Sequence, residues 1–186
     1  MTKNYLLNIA ISGCKILKIV FIVFFVSLSF LFVHFQIDKG FYKTINIDLK
    51  NSEFQYRKIE SWDNTKTQET YTLENVTTVS LVILYLQYSF VLFVLFLIVS
   101  EFQKIIQSVK KLNTFQNENI KSFRKIGNYL IIYLFISSFH FFLFEKSAIT
   151  GISISFSVLG FIIFSFIMAE IFREGMNLKN ENHLTI

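Results

Sequence analysis

The chain reads as an all-α membrane protein, a four-transmembrane-helix bundle with a small extracytoplasmic β-hairpin-like loop. Three observations predict this. Four apolar runs, at residues 16–37, 78–100, 126–144 and 148–169, each approach the roughly 20 residues that a helix needs to cross the hydrocarbon layer. The 186 residues are 53% hydrophobic and only 17% charged, which is too apolar for a soluble core of ordinary size to hide such runs. The absence of proline suits uninterrupted helices and counts against a carrier built on broken ones.

The first run starts at Lys15 and Lys18 and is followed by Val33-His34-Phe35-Gln36-Ile37, which offers no small-residue cleavage site. It reads as a retained anchor rather than a signal peptide. Ile11-Ser12-Gly13-Cys14 only superficially resembles a lipoprotein box, because Asn8 interrupts the short apolar stretch before it. Cys14 is the single cysteine, so no intramolecular disulfide can form.

The outer loop, residues 38–77, alternates like a strand at 44–49 and again at 54–59, with a turn at Lys50-Asn51-Ser52-Glu53. Thr67 to Leu73 adds a third strand-like stretch, and Tyr56 and Trp62 are candidate contact residues. Such a loop is too small to own a core.

In the linker, residues 101–125, Phe102, Ile105, Ile106, Val109 and Leu112 recur at helical spacing, so the second helix continues past the membrane. Asn113-Thr114 favours a turn. A further helix carrying Ile120, Phe123 and Ile126 then leads into the third span, with Lys121, Arg124 and Lys125 on its opposite face, suited to anionic lipid headgroups. Glu145-Lys146-Ser147 joins runs three and four, making them antiparallel neighbours. Gly151 and Ser155, and Ser153 and Ser157, are small pairs four apart that would admit a close helix neighbour. The tail, residues 170–186, extends the last helix to about Leu178.

With four crossings, the N-terminal segment, the linker and the tail share one side and hold eleven of the eighteen Lys and Arg residues. Positive-inside then predicts a cytoplasmic (inner) membrane protein with both termini cytoplasmic. The net charge of +5 belongs to these helix flanks and is not a nucleic-acid signature.

His34, His140 and Glu145 fall at similar predicted depth, and imidazole with carboxylate is metal or proton-relay chemistry. No pair of His four apart accompanies them, so no metal site or cofactor is expected. Gln87, between Tyr85 and Tyr88, must find a partner inside the second helix, because lipid offers none. Glu101 and Glu170 sit close in depth to Arg124 and Lys125 and should form interfacial ion pairs. There is no nucleophile elbow, phosphate loop or zincin pair. No enzyme is expected.

The linker Phe115-Gln116-Asn117-Glu118-Asn119-Ile120-Lys121-Ser122-Phe123-Arg124-Lys125-Ile126-Gly127 and the tail from Ala169 to Ile186 resemble the bacterial integral-membrane family labelled domain of unknown function 2975. Phe172, Gly175, Leu178 and the closing Leu184-Thr185-Ile186 carry the tail match. Gln116 stands where members often have Ser or Thr, and His183 where they usually have Asp. The resemblance implies a multi-pass bacterial membrane protein with no established activity, often encoded beside a small helix-turn-helix regulator.

These readings converge on a regulatory or interaction protein that acts through its linker and tail on that regulator or another cytosolic protein. Its interaction residues are Phe115, Asn119, Arg124, Phe172, Gly175, Leu178, Leu184, Thr185 and Ile186. The alternative is a small transport or self-protection (immunity-like) protein in which His34, His140, Gln87 and Tyr88 face a polar cavity.

Overall fold

The computed structural model describes residues 3–45, 56–61 and 73–184. Four helices, α1 (Lys3–Ile37), α2 (Thr78–Lys110), α3 (Asn117–Ser138) and α4 (Phe156–Leu184), are joined by three short strands, β1 (Tyr56–Ser61), β2 (Phe139–Leu143) and β3 (Ser147–Ile152). Three of the helices contain stretches long and apolar enough to cross a membrane, Tyr5–Ile37, Thr78–Lys110 and Phe156–Glu181. The chain is a membrane protein on this ground. It divides into two compact units, the first made of Met1–Val23, Leu92–Leu134 and Ser155–Ile186, the second of Phe24–Val91 and Phe135–Ile154.

The expected four uninterrupted spans are corrected at the third and fourth runs. Helix α3 ends at Ser138, and residues 139–143 and 148–152, expected to be helical, lie in the antiparallel hairpin β2–β3. A short apolar run does not declare its period. Here Phe139-His140-Phe141-Phe142 and Ile149-Thr150 supply the aromatic and β-branched side chains that favour a pleated surface. Of the small-residue pairs expected to pack helices, Gly151 lies on β3, while Ser153 and Ser155 fall between β3 and α4. Gly151 faces His140 across the ladder, and the amide of Ser153 donates to the Ser138 carbonyl at 2.9 Å.

The loop hairpin is corrected too. β1 pairs antiparallel with β3, Tyr56 opposite Ile152 and Ser61 opposite Ser147, giving the sheet order β1-β3-β2. Thr44 and Ile45 close a turn instead of opening a strand, and Leu73 starts a 3-10 turn. Trp62 and the remaining strand-like residues at 46–49, 54–55 and 67–72 lie outside the described residues. Tyr56 is exposed. On the same strand Lys58 pairs with Glu60 at 2.5 Å, and that hydrogen bond and charge hold the Lys58 ammonium above its ordinary range.

In the second unit, Val76, Phe144 and Ile149 form a small core. The free edge of β2 is closed by side chains. Thr77 Oγ1 donates to the Leu143 carbonyl at 3.2 Å, Ser80 Oγ to the Phe141 carbonyl at 3.4 Å, and Gln87 Nε2 to the Phe139 carbonyl at 2.6 Å. Ser80 Oγ also accepts the Leu143 amide at 3.1 Å. Thr77 is at the same time the N-cap of α2, accepting the Ser80 amide at 3.3 Å. The partner demanded by Gln87 is thus a strand edge.

In the first unit, Ile105 of α2, Ile120, Phe123 and Ile126 of α3, and Ala169 and Phe172 of α4 form the core. Ser165 Oγ donates to the Phe123 carbonyl at 2.7 Å. Helices α3 and α4 approach closely at Gly127, where an added Cβ would lie 2.8 Å from Phe166 Cζ.

Candidate interaction surface

The first unit holds nearly all the residues that the sequence marks for interaction. Helix α2 ends in a Schellman motif, with the Asn113 amide donating to the Ser108 carbonyl at 3.0 Å and the Leu112 amide to Val109 at 3.1 Å. The residue in the left-handed position is Leu112, at φ 62°, not glycine. Sequence reading placed Leu112 on the apolar helix face. It is instead 77% exposed, and the only signal for its turn was the following Asn113-Thr114.

Asn119, almost fully buried, holds this turn from α3. Its Nδ2 lies 2.9 Å from Ser108 Oγ, 3.1 Å from the Asn113 carbonyl and 2.6 Å from the Thr114 carbonyl. Asn119 therefore acts within the chain. Phe115, next along, rests its ring on Gly175 of α4, where no Cβ could be accommodated without displacing it. It also contacts Phe172, ring centroids 5.6 Å apart, and Phe172 in turn meets Phe123 edge-on at 4.9 Å. The structure thus unites Phe115, Phe172 and Gly175 in one linker-to-α4 clasp.

Two acids of this unit, Glu101 and Glu170, gather cations. Glu101, mostly buried, accepts from Lys104 at 2.6 Å and from Ser122 Oγ at 2.8 Å, with Lys125 Nζ at 3.8 Å. Glu170 accepts from Arg124 at 3.2 Å and Arg173 at 2.7 Å, both exposed pairs. Lys110, Lys111 and Lys121 are exposed and stand outside these pairs.

Beside the clasp, the outer face of α4 carries Ile167, Ile171 and Leu178 with Glu170 and Glu174 along one flank. Together with Phe115, Phe166 and Gly175 these line an open apolar groove of about 670 Å³. Ile171 is 52% and Leu178 60% exposed. Helix α4 runs on to Leu184, beyond the expected end near Leu178. Thr185 and Ile186 lie outside the described residues.

The histidines are engaged separately. His34 Nδ1 meets Tyr42 OH at 2.9 Å, and His140 Nε2 meets Ser153 Oγ at 3.1 Å. The main chain of Glu145 bonds the Asn75 carbonyl at the hairpin turn. Among the described residues, no three His, Cys, Asp or Glu side chains converge as a metal site.

Residues 52–186 match the protein family described as protein of unknown function, DUF2975. The chain belongs to this family. The DUF2975 match takes in the linker, the clasp and the groove, along with the whole sheet, and it leaves α1 outside. No curated protein and no solved structure matches the chain.

Proposed function

We infer that this DUF2975 protein is a non-enzymatic regulatory or interaction protein of the bacterial cytoplasmic membrane, which binds a cytosolic protein through its linker and the end of α4. The observation that carries this reading is the exposure of Ile171 and Leu178 beside the Phe115–Gly175 clasp. An apolar groove on a helix that outruns the membrane suits a partner helix laid along it.

The reading takes α3 as a fourth crossing. Linker and tail touch through Arg124–Glu170 and Phe115–Gly175 within one unit, which favours an even number of crossings between them. The uncharged part of α3 after Lys125 is roughly 20 Å long. The five residues of β2 extend it by about 16 Å, enough together for a layer of about 30 Å. A strand at that depth is tolerable only with its edges satisfied, and Thr77, Ser80 and Gln87 satisfy one. The Lys and Arg excess then puts both termini in the cytoplasm. A transport role has less support, because the cavity beside Tyr88 is lined almost entirely by apolar groups.

Crosslinking in native membranes, followed by affinity purification, tests the binding reading. Leu178→Glu is expected to abolish recovery of a cytosolic protein while membrane abundance stays unchanged, and deletion of Glu181 to Ile186 should act in the same direction. Undiminished recovery in the Leu178→Glu variant would sink it.

A further inference from the structure

The end of α4 leaves one charge without a partner. Glu170 is held by Arg124 and Arg173. Glu174 makes no ion pair among the described residues, and it stands in the apolar groove between Ile171 and Leu178. Neither Lys nor Arg lines this groove. Lys179 follows Glu174 by five residues, which carries it about 140° round the helix. The groove therefore calls for an apolar side chain accompanied by a cation.

The turn after α2, in the same unit, presents that combination. Leu112 is 77% exposed and held at φ 62°, a conformation that a side chain disfavours. The three bonds of Asn119 Nδ2 keep the turn in place. Lys110 and Lys111 stand just before Leu112, exposed and without an ion pair among the described residues. The acid nearest along the chain, Glu118, lies in the first turn of α3, where it complements the positive end of its own helix. The turn is thus a rigid apolar knob beside two cations.

Knob and groove adjoin without meeting in one copy. Phe115, which rests on Gly175 and lines the groove, comes three residues after Leu112, at most about 11 Å of chain. Leu112 itself is not part of the lining. The membrane-spanning helices hold every copy at one depth, so a lateral encounter brings the knob of one copy level with the groove of another. A two-fold axis along the membrane normal makes this contact twice, each copy giving a knob and receiving one. Packing groove on groove would instead oppose Glu174 to Glu174, a like-charge contact. The same carboxylate repels an anionic lipid headgroup.

We propose that the protein self-associates in the membrane through a reciprocal contact in which Leu112, Lys110 and Lys111 of one copy enter the groove formed by Ile171, Glu174 and Leu178 of a second copy. Self-association competes with the cytosolic partner for this groove, and it does not depend on that partner.

The test is energy transfer between full-length copies, labelled at the N-terminus with donor or acceptor dye, in vesicles of phosphatidylethanolamine and phosphatidylglycerol without cytosol. The wild type should associate. Glu174→Lys alone, and Lys110→Glu with Lys111→Glu alone, should each weaken association by roughly tenfold. Mixing these two variants should restore it, because every knob again meets a groove of opposite charge, and restoration also shows that both are folded. Leu112→Gly should weaken association without lowering the unfolding midpoint. On a Cys14→Ala background, oxidation should join Leu112→Cys in one copy to Leu178→Cys in another, and should leave Leu112→Cys unjoined to Phe161→Cys near the start of α4. A monomeric wild type overturns the proposal, as do mixed charge variants that stay apart, or Leu178→Cys copies that join each other in preference to Leu112→Cys. Binding of the cytosolic partner is read separately, from native membranes, and can fail while association in vesicles persists.

Discussion

The side-chain nitrogen of Gln87 lies 2.6 Å from the main-chain oxygen of Phe139. The same nitrogen lies 2.7 Å from the oxygen of Ile136. Both carbonyls sit where α3 stops and β2 begins, so neither has the helical partner four residues on that an uninterrupted span would supply. One amide with two hydrogens replaces both bonds. The change from helix to strand is thereby made compatible with apolar surroundings.

Gln87→Leu should therefore destabilise the protein by about 1–3 kcal/mol, the usual cost of stranding a buried acceptor. Ser80→Ala should cost about 1 kcal/mol on the same scale, since Ser80 both donates to and accepts from β2. Reversible urea unfolding in micelles measures both. Unchanged midpoints would mean that the strand edge finds other donors.

Leu112→Gly should stabilise the end of α2. A left-handed non-glycine residue costs about 1–2 kcal/mol, and the Leu112 side chain is mostly exposed, so little packing is lost. A net gain of about 0.5–1 kcal/mol remains after the greater freedom of glycine in the unfolded chain. The same unfolding titration reads it as a higher midpoint; a lower one would show that the exposed leucine packs on something else.

Gly175→Ala should displace the Phe115 ring and cost about 1–3 kcal/mol, as overpacking does. Combining it with Phe115→Ala should restore part of that loss, because the clash disappears with the ring. A double-mutant cycle with additive effects would place the two residues out of contact.

Asn119→Ala should release the turn after α2. Amide hydrogen exchange at Leu112 and Asn113 is expected to rise at least tenfold, corresponding to the roughly 1.4 kcal/mol or more lost with the side-chain bonds. Protection equal to the wild type would assign the rigidity of this turn to its main chain alone.

Much of the first unit was legible in the sequence. Phe102 aside, the apolar spacing of Ile105, Val109, Ile120 and Phe123 encodes a face that does become core or its margin, because a 3.6-residue period is local information. The pairing of Arg124 with Glu170 and of Lys125 with Glu101 was also readable, from depth along helices. The sheet was not. The two strands from Phe139 to Ile152 are short and mixed in composition, and nothing local to them announces that the strand partner of β3 is Tyr56 to Ser61. Asn119 reads from the sequence as an interaction residue of the linker; its burial depends on Ser108, Asn113 and Thr114 folding back around it.

The central strand β3 joins β2, just before it in the chain, to β1, synthesised about ninety residues earlier. On the ribosome β1 emerges, and α2 follows it, long before β3 exists to receive it. Sheet closure must then wait for insertion of the last hairpin. The order of assembly is built in: β1 and α2 are made first and stay an unfinished pair until β3 is complete at Ile152, with α4 still to follow.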